Sequence, residues 1–351
     1  MWRPFRVVAG FALLGIAIWV LTGKSSELSG AGVFLNQIRW EWLVLAAVAE
    51  FWSYLFMAFL ERSLLGAGDV HARVRRLATI FFAGSSIQSA LPVGAAFAGV
   101  FQFRQFQLLG ADEVLSGWVV IASGAISFAT LAGLAGAGLA LAATLGSTFD
   151  LVEAILGVLV IAVLAVVAWA NRASFYNLAA RSATRLEKVL HRPQGQLSEP
   201  LAKGLERMRS VAPTRTEWAW AVSAGAASWM ADCACLACAY IAVGASVPWA
   251  GLMLAYCGGQ LAVNLPITPG GLGVVEGSLT VALVAFGGGE APTVAAVLLY
   301  RLLSFWLPLP VGGACYLGLW RSRRRRARLE AGASGAAGAG GAGGLTAAGD
   351  E

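Results

Sequence analysis

Four ionisable side chains, Glu50, Asp232, Glu276 and Arg301, lie inside long apolar stretches of this chain. A charge at membrane depth is costly, so such residues either pair with one another or mark a substrate, ion or proton pathway. Glu276 has two chemistries open to it. It can bind a cationic group or titrate with a coupling proton, or it can cap a helix whose dipole favours a carboxylate in the first turn. Arg301, in Leu-Tyr-Arg-Leu-Leu-Ser-Phe-Trp, either pairs with Glu276 or offers a guanidinium fork that fits phosphate. Glu50 and Asp232 either belong to a proton path or pair within a helix bundle.

The segment Asn264-Leu-Pro-Ile-Thr-Pro-Gly-Gly-Leu-Gly-Val-Val-Glu-Gly277 leads into Glu276. Pro266 and Pro269 remove N–H donors and stop a helix. Gly270, Gly271 and Gly273 allow left-handed backbone and close approach. Hydrocarbon cannot hydrogen-bond a broken backbone, so this stretch must be buried in protein or line a cavity. Transporters place substrate and ion sites at broken helices of this kind. Asn264, Pro266, Thr268, Pro269 and the three glycines are therefore substrate-site candidates, the alternative being a tight turn between packed half-helices. A second interruption, Leu91-Pro92-Val93-Gly94, adds Pro92 and Gly94. Arg104, just beyond it, either grips a headgroup or snorkels to the interface.

Composition fixes the solvent of these residues. Of 351 residues 58% are hydrophobic and only 13% charged, and mean hydropathy is +0.72. A soluble chain carries about 25% charged residues. Too little charge remains to cover a water-facing surface, so the expected fold is an all-α polytopic membrane bundle. The net charge of +6 sits in short runs at the ends of apolar segments, which argues against nucleic acid as a partner and for the positive-inside rule. Cys233, Cys235, Cys238, Cys257 and Cys315 all fall in apolar sequence, far from His71 and His191. They read as packing residues, with no metal site or cofactor expected. No nucleophile–base cluster suggests an enzyme, and no G-x-x-x-x-G-K-[ST] run suggests ATP.

Segments long enough to span fall near 5–22, 42–60, 115–144, 151–170, 217–243 and 291–319. The basic start favours a first helix that is retained rather than cleaved as a signal peptide. The interrupted stretches 77–101 and 248–288 are expected to be broken, re-entrant hairpins. Arginine-rich loops place the N-terminus, the loop after the second span, segment 171–216 and the tail on the cytoplasmic side. That charge pattern is met if the first hairpin enters from the cytoplasm and the second from outside. Leu91-Pro92 followed by Gly99-Val100 matches the spacing of Leu265-Pro266 and Gly273-Val274, which suggests an inverted-topology repeat. Residues 1–320 form the expected membrane domain, with 171–216 as an amphipathic surface loop. Residues 321–351 are a basic run and then a Gly/Ala-rich tail expected to be disordered.

With these residues in place, the chain resembles the flippase-like membrane region of the lysylphosphatidylglycerol synthase family. The likeness is carried by Leu265–Gly277 and by Arg301-Leu-Leu-Ser-Phe-Trp-Leu-Pro308, and more loosely by Leu91–Gly94 and Phe103-Arg-Gln105. Family members often have a charged pair after the first Leu-Pro, where this chain has Ala95, Ala96 and Phe97. The resemblance implies the translocation part alone, without a soluble synthase domain. The expected function is that of a lipid flippase in the bacterial inner membrane, acting on an anionic or aminoacylated phospholipid or a lipid-linked precursor. The alternative is an accessory protein that presents such a lipid to a separate envelope-biosynthesis enzyme.

Overall fold

The computed structural model describes residues 38–91, 93–144, 213–263, 269–322 and 324. The expected spans near 5–22 and 151–170, the surface loop 171–216 up to residue 212, the tail beyond 324, and Pro92, Asn264, Pro266 and Thr268 lie outside them, while the last residues of that loop cap and open a helix. Every regular element among the described residues is helical, and four helices are long and apolar enough to cross a membrane. The chain is an integral membrane protein.

The elements follow one order twice. A long helix α1 (Trp40–Gly66) leads to a broken pair, α2 (Val74–Ala90) and α3 (Gly94–Gln107), and then to long α4 (Glu113–Thr144). Long α5 (Arg215–Ala242) leads to the second broken pair, α6 (Trp249–Val263) and α7 (Val274–Ala285), with a 3₁₀ turn Pro269–Gly271 between them. The last span opens with α8 (Glu290–Arg301), passes through a π turn at Leu302–Trp306 and continues as α9 at 308–322. Both interruptions read from the sequence are therefore helix–turn–helix hairpins. The stretch 291–319, expected as a span, lies within one helical span, Glu290–Ser322, that carries a π turn. Pro308 has no N–H to return to the Ser304 carbonyl. The ladder widens there, with Leu307 N–H reaching back to Leu302, and the Tyr54 hydroxyl donates to the Ser304 carbonyl at 3.4 Å.

The central contact is α1 against α5, antiparallel. Arg39 N–H donates to the Ala242 carbonyl at one end, and the Ser63 hydroxyl donates to the Glu217 carbonyl at the other. Facing residues recur at alternating steps of four and three. They are Ala46, Glu50, Ser53 and Leu60 on α1, and Ala221, Gly225, Ser228, Asp232, Cys235, Ala239 and Ala242 on α5, all buried. In lipid the driving force is close packing rather than water exclusion, which small side chains permit. Ser53 and Ser228 hydroxyls meet at 3.2 Å in the seam, a bond worth about 0.6 kcal/mol in such a bundle. The start of α5 is fixed by a capping box in which Thr214 and Glu217 bond reciprocally.

The hairpins enter from opposite ends. The open end of α2/α3 lies with Gly66 and Arg215, beside most of the described arginines, including Arg62, Arg73, Arg75, Arg76, Arg104 and Arg321. The open end of α6/α7 lies with Trp40 and Ala242. Their tips meet inside the bundle, where a side chain on Gly270 would sit 3.1 Å from the Ser89 carbonyl oxygen. Each hairpin leans on the last span of the other half. Gly138 of α4 packs on Met253 and Leu254 of α6, and Gly312 of α9 packs on Phe82 and Ser86 of α2. This exchange has the two-fold character of an inverted repeat.

The Gly312 contact is backbone against backbone, because an added Cβ would fall on the Phe82 carbonyl oxygen. Gly312→Ala is expected to push α9 from α2 and lower stability by about 1–3 kcal/mol. Gly313→Ala, which meets open space, is expected to be neutral or slightly stabilising. Thermal denaturation of the two variants in detergent checks the difference.

Candidate functional site

A broken hairpin at membrane depth leaves carbonyls and amides that the protein itself must satisfy. At the second tip, Gly270 (φ 60°), Gly271 (φ 68°) and Gly273 (φ 83°) carry the chain through left-handed backbone. A Cβ on Gly270 would also collide with the Phe305 ring, so turn and packing both require glycine there. Three hydrogen bonds then lock the tip. The Gly273 N–H donates to Glu276 Oε2 at 2.6 Å. Arg301 donates through Nε to Glu276 Oε1 at 2.7 Å and through Nη2 to the Gly270 carbonyl at 3.0 Å. Its guanidinium also lies over the Phe305 ring, 4.6 Å from the centroid. Glu276 thus caps α7 and pairs with Arg301, and both structural roles read from its sequence are present together.

Beside this tip lies a cavity of about 640 Å³, walled by α1 to α5, Gly270 and the residues around the π turn. Its inner end holds Glu50, Asp232, Gln260, Tyr300 and Arg301. Glu50 and Asp232 are 5% and 8% exposed, occupy opposed positions in the α1–α5 seam and both line the cavity. The Tyr256 hydroxyl donates to Asp232 Oδ2 at 2.8 Å, Gln260 Nε2 donates to the same oxygen at 3.1 Å, and it lies 2.9 Å from the Tyr300 hydroxyl oxygen. A hydrogen-bonded chain therefore runs from the acid pair through α6 to the residue next to Arg301. Eleven residues from Glu50 along α1, about 16 Å, Glu61 lines the other end of the cavity and accepts from Gln102 Nε2 at 3.2 Å.

The remaining expected residues divide. Gly94 and Gly270 line the cavity together with Glu50, Asp232 and Arg301; Glu276, Gly271 and Gly273 are not in its wall. Pro269 opens the 3₁₀ turn that positions Gly270. Arg104 is exposed in the last turn of α3 and away from the cavity. At the first tip Val93 is left-handed (φ 56°), a strained state for a β-branched residue. It is 62% exposed and lines the cavity with Leu91 and Phe128, also exposed, so part of the rim is apolar. Sequence reasoning missed Glu61, Gln102, Tyr256, Gln260 and Tyr300. Glu61 stands at the end of an apolar run among arginines, where it reads as an interfacial charge. Gln260 carried a usable signal, as a polar residue inside an apolar half-helix.

Cys233, Cys235, Cys238 and Cys257 are buried in the core as free thiols. They join Leu252, Leu279, Leu283 and Tyr300 in a packed apolar cluster that closes the end opposite the cavity.

The ion pair is only 7% exposed at Arg301 and 22% at Glu276. Glu276→Ala strands the guanidinium and is expected to cost about 3–5 kcal/mol. Glu276→Ala combined with Arg301→Leu is expected to recover only part of that loss, because the Gly270 carbonyl and the Gly273 N–H then lose their partners. Paired thermal melts test this, and a double variant no more stable than the single would show that the charge pair is not the origin of the loss.

No curated protein compared with the chain matches it. The sequence profile described as "Lysylphosphatidylglycerol synthase TM region" matches residues 7–312, a stretch that includes both hairpins and the whole described cavity. The chain belongs to the lysylphosphatidylglycerol synthase transmembrane family.

Proposed function

We propose that the protein is a lipid transporter that moves a phospholipid or lipid-linked headgroup across the inner membrane, with no catalytic step of its own. The observation that carries the proposal is the polar cavity at membrane depth, bounded by the α2/α3 tip and by Gly270 of the second tip. It offers serine hydroxyls, carboxyls and amides to a headgroup. The apolar exposed rim at Leu91, Val93 and Phe128 leaves room for acyl chains to stay in the bilayer. Arg301 is the cationic residue in the wall, and its guanidinium is suited to a phosphate oxygen if the pair with Glu276 opens. The arginine-rich end of the bundle is the cytoplasmic face by the positive-inside rule. The cavity then serves the cytoplasmic half of the path, and the packed α5–α8 cluster closes the outer half. Family membership supports a role in lipid metabolism or transport.

Gly124 provides the test, because it lines the cavity and a Cβ there meets open space. In proteoliposomes, wild type is expected to move labelled phospholipids between leaflets. Gly124→Trp, which adds a large ring at the cavity wall, is expected to slow that movement by about tenfold or more, equivalent to roughly 1.4 kcal/mol. Gly133→Trp, on the same helix but outside the cavity wall, is expected to behave as wild type. No protein-dependent movement for any headgroup would leave the accessory role. Equal movement by both tryptophan variants would place the path elsewhere.

A further inference from the structure

Among the described residues, the cavity wall contains three carboxylate residues, Glu50, Glu61 and Asp232, and one guanidinium, Arg301. That guanidinium is already engaged, through Nε on Glu276 and through Nη2 on the Gly270 carbonyl. It is within electrostatic reach of Asp232, yet Asp232 takes its hydrogen bonds from Tyr256 and Gln260. Glu50 Oε2 and Asp232 Oδ1 are each buried with no hydrogen-bond donor. Two carboxyl groups on facing helices repel one another when both are charged, and a shared proton relieves that repulsion.

The surroundings leave that proton as the suitable occupant. Along α1 and α5 the pair meets Tyr54 and Cys235. From α6 it meets Tyr256, and from α8 it meets Tyr300 and Arg301. From α4 the wall presents Ser127 and Leu131, and from α2 it presents Ser85, none of them charged. The pair faces the cavity, so water can deliver a proton to it. It is also tied to the second hairpin. Asp232 Oδ2 is gripped by two side chains of α6, a hairpin helix, and Gln260 continues the chain to Tyr300 beside the Arg301 lock.

We propose that Glu50 and Asp232 bind one proton between them, taken up from water in the cavity, and that this proton couples lipid movement to a transmembrane proton gradient. Loading converts two facing carboxylates into a carboxylic acid donating to a carboxylate, with the proton coming from hydronium. Release returns it to water on the other side. Without it, the two negative charges repel across the α1–α5 seam, while Asp232 keeps the donors Tyr256 and Gln260 of α6. The second half, coupling, rests on the transport function proposed above; the first half, proton binding, does not.

Two measurements separate them. In proteoliposomes with an imposed pH gradient, wild type is expected to concentrate labelled phospholipid in one leaflet by about tenfold per pH unit for one proton per lipid. For Glu50→Gln and Asp232→Asn the ratio of lipid between the leaflets is expected to be the same with and without the gradient. Wild-type movement that is indifferent to the gradient overturns coupling and leaves transport standing, whereas no movement at all overturns both. Infrared difference spectra of the full chain in detergent, taken across pH, read proton binding directly. A protonated-carboxyl band that titrates in wild type and in Glu61→Gln, and is lost in Glu50→Gln and Asp232→Asn, supports the pair. Its absence from wild type overturns the pair whatever the lipid assay shows.

Discussion

Backbone that leaves the helix inside a bilayer has no water to turn to, and in this structure one arginine meets that demand. Arg301 takes the Gly270 carbonyl and the Glu276 carboxylate, and Glu276 in turn takes the Gly273 amide. The broken tip can exist at depth because these groups answer one another. The same lock fixes where α8 ends, since the π turn begins at the next residue. It also places Phe305 against the tip glycine. The hairpin, the kink in the last span and the inner end of the cavity are thus one construction.

Lipid gives helices no hydrophobic reason to associate, so the α1–α5 seam holds by close contact between small residues. That requirement explains why an acid pair is found there. Glu50 and Asp232 stand at the same four-and-three spacing as the alanines, serines and Gly225 around them, so close approach of the two helices brings the carboxyls together. In a looser interface of large side chains the two groups would lie too far apart to interact. The seam and the pair depend on one another through distance alone.

Much of this was readable from residue types. Proline and glycine at 91–94 and 266–273 mark the hairpins, because helix is impossible there whatever surrounds it. The Glu276–Arg301 pair was one of two readings open to Arg301, Glu276 being the intramembrane acid nearest to it in sequence. Register was harder to read. That Glu50 faces Asp232 depends on the antiparallel offset of α1 on α5, which Ser53–Ser228 and Arg39–Ala242 set. No local pattern encodes that offset. The acceptors and donors around Asp232 come from α6 and α8, brought in by tertiary packing. Pro308 did signal a broken ladder, but the break takes the form of a π turn because Tyr54 is at hand to bond the freed carbonyl.

The two halves share an architecture and differ in chemistry. The second tip carries a glycine turn, an acid cap and an arginine, and it is locked. The first has Leu91, strained Val93, Ala95 and Ala96, and among the described residues no charged side chain bonds its backbone. Its neighbours are the open cavity and exposed apolar surface rather than a packed core. A tip held by an ion pair of about 3–5 kcal/mol moves reluctantly. A tip under backbone strain with little polar anchoring has less to break. If the cavity changes shape during a transport cycle, the α2/α3 hairpin is the element with the lower barrier, and α6/α7 is the fixed wall against which it works. The acid pair then sits at the joint between them, bonded to the fixed wall through Tyr256 and Gln260 and open to the cavity that the mobile tip would reshape.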